Sequence, residues 1–292
     1  MWIWLNIAQQ CGTVRCAAFS GGDKNMNRRR NKLYCAMSIV IALLGACPVS
    51  AAAVELSVYA PGGVRSAVQA AASAFEGATG HTVKFTFGTG GGIQKQVAEG
   101  APADVTVLPS AGATELEKKG IVAPGSRLEV GSVGVGIGIK AGMPRPKIAT
   151  IDEFRDTLLA AKSITYADPA RGGTSGTYFA SVVLPRLGIV DNMRAKTTLT
   201  GVGEEAVKRV VSGESEIVVV QASEITAVPG AELVGPLPKE IQNEIPYAAV
   251  VLRATKIPEV AGAFVRYLIA PPGRAAFKAA GFEPPPERQH CD

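Results

Sequence analysis

The feature that most constrains the fold is a regular alternation of short apolar segments with amphipathic segments after residue 53. The segment VELSVY, at 54–59, is short and apolar, which is typical of a buried strand. The following segment places Val64, Val68 and Phe75 on one helical face and ends at Gly80. Repetition of this pattern predicts an α/β fold with parallel strands and helices on both faces of the sheet.

The same alternation continues in two sets. In the first set, strands are expected at 82–87 and 104–108 and helices at 93–99 and 114–120. In the second set, Thr150 and Glu153 form a capping-box signature that starts a helix. The remaining predicted elements are strands at 163–168 and 216–221 and helices at 178–188 and 204–213.

Two extended segments separate these sets and predict two lobes. VGSVGVGIGIK, at 130–140, and PYAAVVLR, at 246–253, are expected to be neighbouring crossover strands with hinges near 133–139 and 247–253. The predicted organisation is an N-terminal extension and signal peptide at 1–53, lobe I at 54–134, lobe II at 135–250, and a return to lobe I with a tail at 251–292.

The charge distribution argues against nucleic-acid binding. The net charge is +5, but six of the 30 Lys and Arg residues and one of the 25 Asp and Glu residues precede residue 54. The rest of the chain therefore carries 24 of each and lacks the basic face that a phosphate backbone requires.

The N-terminal segment predicts export. NRRRNK, at 27–32, precedes an apolar stretch and then small residues at Val49, Ser50 and Ala51, as in a secretory signal. We expect the mature chain to begin near Val54 in the periplasm. Two alternatives stay open, which are a retained membrane anchor and lipoprotein processing at Cys47.

Cysteine and histidine are scarce after that segment. Of the five cysteines, Cys291 alone follows residue 53, and the two histidines, His81 and His290, lie far apart in the sequence. A disulfide framework, a cysteine metal site and a Ser-His-Asp hydrolase are therefore not expected. We predict no metal and no cofactor.

Three glycine-rich loops follow predicted strands and precede predicted helices. They are APGGV at 60–64, FGTGGGI at 87–93 and DPARGGTSGT at 168–177. Free backbone N–H groups at helix N-termini bind anions, and ligands of open α/β sheets collect at the carboxyl ends of strands. Alternatively, each glycine allows only a tight turn. None of the loops has dinucleotide or phosphate-loop spacing, so we expect a small ligand.

The segment from Leu56 to Gly112, with EGAPADV at 99–105, resembles the opening of molybdate-type periplasmic solute-binding proteins, which are receptors of ABC importers. The resemblance extends from about Glu55 to Phe282. It implies a type II periplasmic binding-protein fold, with mixed sheets in two lobes that close on an oxyanion. It also implies a membrane permease as partner; we expect a monomer.

This chain departs from that family at its ligand positions. Where the family has two serines on lobe I, this chain has Gly63 and Gly90, the latter beside Thr89, and Gln221 replaces a tyrosine. Ser175 matches a third position. Because two hydroxyl donors are lost, tetrahedral molybdate becomes a doubtful ligand and an organic carboxylate is favoured.

The chain also resembles aconitate isomerases, which are built on the same scaffold. The similar segments include KIATIDEFRDTLLAAKSITYAD, SGTYFASVVLPRL and QASEI, at 147–168, 175–187 and 221–225. Such an enzyme moves an allylic proton and needs a base in the cleft, for which Asp168, Glu205 and Glu224 are candidates. Isomerisation is therefore the alternative to transport.

The sequence thus predicts a set of ligand-binding residues around a small anion. Contact between Lys95 and the anion is a weaker expectation. Tyr178 is expected to pack in the interior. The predicted set comprises Gly62, Gly63, Arg65, Thr89, Gly90, Gly91, Arg171, Thr174, Ser175, Gly176 and Gln221.

Overall fold

A computed structural model describes residues 53–285 as a mixed α/β structure. The signal segment, Cys47 and the tail beyond residue 285 lie outside the described residues. The strands are β1 Glu55–Pro61, β2 Thr82–Gly88, β3 Val105–Pro109, β4 Leu128–Lys140, β5 Ile164–Ala167, β6 Thr197–Thr200, β7 Ile217–Gln221, β8 Ala231–Pro236 and β9 Glu244–Val251.

The α-helices pack on both faces of these strands. They are α1 Arg65–Thr79, α2 Gly90–Ala98, α3 Ser110–Lys118, α4 Ile151–Ala160, α5 Thr174–Tyr178, α6 Leu184–Leu187, α7 Val190–Arg194, α8 Gly203–Ser212, α9 Ala222–Thr226, α10 Pro258–Ile269 and α11 Pro271–Ala279.

In lobe I, β1 pairs in parallel with β2 and β3 at the centre of the core. Alternate β1 side chains, Leu56, Val58 and Ala60, are fully buried, and α1 covers them with an apolar face that includes Phe75. Phe75 meets the ring of Phe264 on α10 edge-on, with centroids 5.2 Å apart. The C-terminal helices thus pack on the first helix.

The long strand β4 joins the two parts of the sheet. The first half of β4 pairs antiparallel with β9, and the last pair is Gly134 with Glu244. The second half pairs antiparallel with β7, and the first pair is Val135 with Gln221. β9 also pairs antiparallel with β3. The sheet is therefore mixed, and the change of partners at Gly134 and Val135 gives β4 the crossover position that the sequence predicts. The lobe boundaries themselves stay a prediction.

In lobe II, β5 lies between β6 and β7 in parallel pairing. The predicted helix at 178–188 begins earlier, at Thr174, and widens into a π-helical stretch at Phe179–Val183 before α6. Strands β6 and β8 were not predicted from the sequence. β6 reads TTLT, which is short and polar and gives no apolar periodicity.

Within residues 53–285, no helix is both long and apolar enough to cross a membrane.

Candidate functional site

Five loops line one cavity, because each follows the carboxyl end of a strand and the carboxyl ends of β1 and β2 face those of β5, β6 and β7. They follow β1, β2, β5, β6 and β7, and each leads into a helical turn or a helix. The sequence predicts three of these five loops. The first N–H groups of a helix have no intrahelical acceptor, so these loops bring backbone donors together around one space.

On the lobe I side, short turns expose backbone rather than side chains. Gly62–Val64 form a 3₁₀ turn between β1 and α1. Thr89 caps α2, with its Oγ1 accepting the Gly92 N–H at 3.0 Å. The same hydroxyl donates to the carbonyl oxygen of Arg171 in lobe II. The Thr89 side chain is therefore engaged in this conformation.

On the lobe II side, the loop after β5 forms two turns. Asp168 Oδ1 accepts the Ala170 N–H at 2.9 Å and caps the first turn, and Gly172 ends that turn at a φ of 78°. The chain then enters α5, where Ser175 is 2% exposed. Thr174 and Ser175 both face the space between the lobes.

The loop after β7 carries two polar side chains that the lobes bury. Gln221 and Glu224 form a capping box at the start of α9, in which Glu224 Oε2 lies 3.4 Å from the Gln221 N–H. Gln221 is 4% and Glu224 9% exposed. α8 begins at Gly203, which lines the same space.

The lobes are closed on each other. The Gly91 N–H donates to the Gly172 carbonyl at 3.0 Å, and Ser223 Oγ donates to the Gly63 carbonyl at 2.7 Å. The cavity leaves about 20 Å³ for the centre of a water-sized sphere, which is room for about one water molecule. Any larger ligand must widen the gap between the lobes.

Tyr247 on β9 fixes the orientation of Gln221. Its hydroxyl, which is fully buried, donates to Gln221 Oε1 at 2.9 Å. Burial raises the pKa of Tyr247 far above the usual range, so the phenol stays protonated. The amide nitrogen of Gln221 is then the atom that can donate to a ligand.

Glu224 is the one ionisable side chain among the residues that line the cavity. Burial raises its pKa to about 7, against the lowering effects of the Gln221 N–H and the Arg65 charge; Glu204 raises it further. A carboxyl group that titrates near neutral pH can act as a proton donor or as a base.

Arg65 links the lobes outside this cavity. Its guanidinium lies 4.1 Å from the centre of the Phe87 ring and 3.4 Å from Glu204 of lobe II. Glu204 also accepts from Lys208 at 2.7 Å, and this hydrogen bond is the main cause of its lowered pKa. Arg65 is thus committed to an interlobe ion pair and an aromatic face.

The cavity glycines make room for particular side chains of lobe II. A Cβ atom at position 63 would collide with Gln221 Oε1, and one at position 90 would collide with Thr174 Oγ1. A Cβ at position 62 would lie 2.8 Å from Glu224 Oε1, which also blocks a Cβ at 203. Polar side chains of lobe II therefore fill the space that larger residues on lobe I would need.

The structure brings seven of the eleven predicted ligand residues to the cavity and leaves four outside its lining. The seven are Gly62, Gly63, Thr89, Gly90, Thr174, Ser175 and Gln221, and the four are Arg65, Gly91, Arg171 and Gly176.

The four have identifiable places. The Gly91 N–H donates a hydrogen bond to the Gly172 carbonyl of lobe II, and Arg65 forms an ion pair with Glu204. Gly176 packs against the carbonyl of Ala167. Arg171 is exposed and would lie 3.2 Å from a Cβ at Gly201, so its guanidinium points along the rim.

The weaker candidates are also placed. Lys95 is 75% exposed and lies 3.9 Å from Glu99, whereas the Tyr178 hydroxyl donates to the Ile241 carbonyl at 3.1 Å. Asp168 and Glu205 cap loops through backbone N–H groups and do not line the cavity. Glu224 is therefore the candidate base that the fold places in the cleft.

The loop after β6, which contributes Gly203 to the cavity, was not predicted from the sequence. A signal was present, because VGEE at 202–205 combines a glycine with acidic residues at a helix start. Strand β6, which would have identified this loop as a strand-to-helix turn, has no apolar pattern.

Two larger grooves lie on lobe II, away from the cleft. One, of about 730 Å³, includes Arg145 and Lys239, and the other, of about 580 Å³, includes Met143 and Ser215. Neither includes residues from lobe I, and neither gathers the helix N-termini described above. Among residues 53–285, no group of His, Cys, Asp and Glu side chains could hold a metal ion.

A closed cleft between two α/β lobes, with helix N-termini from both, defines a solute-binding protein. A family model described as bacterial extracellular solute-binding protein matches residues 56–283. The chain belongs to this family.

Relatives of known function include two kinds of protein. The chain is 31% identical to the aconitate isomerase of a Pseudomonas species over 250 residues, covering 84% of this chain and 92% of that protein. It is 30% identical to the molybdate-binding protein of Azotobacter vinelandii over 256 residues, covering 84% and 96%.

Solved structures of binding proteins share the fold. The periplasmic molybdate-binding protein of Azotobacter vinelandii matches with a TM-score of 0.66 and 23% identity, covering 79% of this chain and 99% of that one. The sulfate-binding protein of Mycobacterium tuberculosis matches with a TM-score of 0.63 and 20% identity, covering 80% and 88%. The two-lobed binding-protein fold predicted from the sequence is confirmed.

Proposed function

We propose that this chain is the periplasmic receptor of an importer and that it binds a small carboxylate-bearing anion between its lobes. The convergence of helix N-termini from both lobes on one cavity carries this proposal. An anion bound there would gain contacts with both lobes only when they close, and this favours the closed form.

The donor set favours a carboxylate over a tetrahedral oxyanion. Lobe I offers backbone N–H groups, because Gly63 and Gly90 carry no side chain and the Thr89 hydroxyl is engaged. Lobe II supplies the side-chain donors Thr174, Ser175 and Gln221. Side-chain donors on the lobe II flank alone suit a ligand whose anionic group lies on that side and whose remainder lies toward lobe I.

A receptor of this kind delivers its ligand to a membrane permease, and we propose that it does so as a monomer. Family membership supports an extracytoplasmic location. The export segment supports the periplasm, with lipoprotein processing at Cys47 as the alternative.

We expect the exported chain to begin near Val54, because the small residues end there and the first strand starts at Glu55. Mass spectrometry of the N-terminal peptide from the exported protein measures this. Retention of residues 26–53 would contradict cleavage, and a diacylglyceryl group on Cys47 would identify the lipoprotein route.

Calorimetric titration with molybdate, sulfate, citrate and both aconitates tests the ligand class. We expect a carboxylate to bind more tightly than either oxyanion. Tight molybdate binding would overturn the carboxylate preference, and failure of every anion to bind would overturn the receptor.

Variants of Ser175, which lines the cavity, and of Arg171, which does not, compare the contributions of the two positions to binding. We expect Ser175→Ala to weaken binding of the preferred anion by about 1.5 kcal/mol, because a hydrogen bond to a charged ligand is lost. Arg171→Ala keeps the carbonyl that accepts from Thr89 and should change binding by less than about 0.5 kcal/mol. A larger effect at Arg171 than at Ser175, measured by the same titration, would contradict this arrangement.

Glu224 favours a second candidate function, the isomerisation of an unsaturated polycarboxylate. As a base, Glu224 would remove an allylic C–H proton, leaving the electron pair delocalised toward the adjacent carboxylate, and would return the proton at the other allylic carbon. Its pKa of about 7 suits such a transfer. The aconitate isomerase relative supports this alternative.

NMR of trans-aconitate with catalytic amounts of the protein distinguishes the two functions. Turnover to cis-aconitate that rises with pH through about 7 and is lost in Glu224→Gln would establish the isomerase, since a base must be deprotonated to act. If trans-aconitate binds but is not converted, the isomerase function is excluded and the receptor function is retained.

A further inference from the structure

We propose that Glu224 determines the specificity of the cleft by taking up a proton when the lobes close on an anion and then donating a hydrogen bond to that anion. This inference rests on the proposed binding function and assigns a role to a residue outside the predicted ligand set. It follows from the position of the carboxyl group and from the charges around it.

The carboxyl group of Glu224 lines the cavity in which we propose that the anion binds. Its Oε1 faces Gly62 of lobe I, where a Cβ would lie 2.8 Å away, and it also faces Gly203 at the start of α8. An anion held on the N-terminal N–H groups of these two turns would therefore lie beside the carboxyl group. Two negative charges at this separation repel strongly in a closed, poorly hydrated site.

The surrounding charges do not compensate for that repulsion. Arg65 approaches from the start of α1 and lowers the pKa of Glu224, but Glu204 of α8, which pairs with Arg65, raises it. From β9, Tyr247 presents a neutral hydroxyl that is already donated to Gln221.

The strands packed against α9 add no nearby charge on this side. On β4 and β8, Lys140 and Glu232 lie near the ends of the paired segments, opposite Ala231 and Ile139. Val135, the partner of Gln221, is five residues away from Lys140 along β4. Burial is thus the dominant influence on Glu224, and it favours the neutral acid.

A protonated Glu224 changes the chemistry of the cleft. The neutral carboxylic acid has one O–H donor, whereas the carboxylate can only accept. The protonated form therefore adds a donor to those of Thr174, Ser175 and Gln221, and it selects ligands that present an acceptor at this point. A ligand that presents only donors in this position, such as an ammonium or an amide N–H group, gains nothing from that donor.

The protonation of Glu224 determines how the affinity for the anion changes with pH. A bound anion raises the pKa of Glu224 beyond its value of about 7 in the closed form, so binding takes up a proton wherever the free protein is deprotonated. Affinity should be highest below pH 6 and should fall as pH rises above 7. The expected slope approaches about tenfold per pH unit.

Calorimetry with trans-aconitate tests this proposal directly. At pH 7.5, in two buffers of different ionisation enthalpy, wild type should take up between about one half and one proton per ligand bound. Between pH 6 and pH 8.5, its affinity should fall by more than about tenfold.

Two variants give matched controls. Glu224→Gln keeps a donor of similar shape, so it should bind without proton uptake and with affinity that is independent of pH. Glu244→Gln removes another carboxyl group whose pKa burial raises but which lies outside the cavity lining, and it should retain the wild-type pH dependence.

The outcomes separate the two proposals. If trans-aconitate binds wild type without proton uptake and with constant affinity, the role of Glu224 is overturned and the receptor stands. If neither trans-aconitate, citrate nor molybdate binds at pH 6, the receptor itself is overturned. Proton uptake by the wild-type protein tests the role of Glu224 even if Glu224→Gln does not fold.

Discussion

Replacing Gly176 with alanine is expected to lower the free energy of unfolding by about 3 kcal/mol. A Cβ at this position would collide with the carbonyl oxygen of Ala167 and would lie 3.1 Å from the ring of Tyr166. Both neighbours belong to β5, a fully buried strand that is paired on both sides. The strand cannot retreat, because tightly packed interiors transmit such displacements rather than absorb them.

Gly77 offers a matched control for the same chemical change. It lies in α1, and a Cβ there would meet no atom within 4 Å. Gly77→Ala should therefore raise the free energy of unfolding by about 0.5–1 kcal/mol, because alanine favours the helix over the unfolded chain. Urea denaturation of both variants measures the contrast, and a Gly176→Ala protein as stable as wild type would refute the packing role.

The fold was largely predictable because its strands are buried on both faces and its helices cover them with apolar stripes. Segments such as IVVVQ and the spaced residues Val64, Val68 and Phe75 carry that pattern locally. β6 and β8 were missed because they lie toward the edges of the lobe II sheet, where several positions are half-exposed. Tertiary pairing, which no local pattern encodes, makes them strands.

The loops that line the cavity were more predictable from the sequence than the directions of its long side chains. Gly62, Gly63 and Gly90, which the glycine-rich loops pointed to, line the cavity, because chain direction brings the carboxyl ends of the parallel strands β1 and β2 together. The direction of a long side chain is not encoded in this way. Arg171 shares its loop with Ser175, yet its guanidinium turns to the rim near Gly201.

The pairing of glycines with distant side chains is a further feature that the sequence hides. Gly63 and Gln221 are 158 positions apart, yet the amide occupies the space beside the glycine. The residue types at positions 63 and 221 therefore depend on each other, because a side chain at position 63 would need the space that the Gln221 amide fills.

Gly90 and Thr174 form a similar pair across the cleft, and this pair leads to a test of ligand preference. A Cβ at position 90 would collide with Thr174 Oγ1 across the cleft, so the clash arises only when the lobes close. Gly90→Ser should therefore weaken carboxylate binding by about 2 kcal/mol, roughly thirtyfold, while leaving chain folding intact.

Thr174→Ala removes the colliding oxygen and should relieve that clash. Alone, it should weaken binding by about 1 kcal/mol through the lost hydroxyl. In the double variant Gly90→Ser/Thr174→Ala, the two effects should fall short of their sum by at least about 1 kcal/mol, because the serine then occupies the vacated space. Gly77→Ser, in an exposed turn of α1, controls for the chemical change itself.

The double variant should also alter which anion is preferred. It returns a hydroxyl donor to lobe I, at the position where the molybdate-type pattern has one, and removes a donor from lobe II. Titration with molybdate, sulfate and trans-aconitate should show the ratio of oxyanion to carboxylate affinity rising by about tenfold relative to wild type, or about 1.4 kcal/mol. If the two substitutions were additive and that ratio stayed constant, the glycine at 90 would be a turn residue, and the preference for carboxylates would have to originate elsewhere in the cleft.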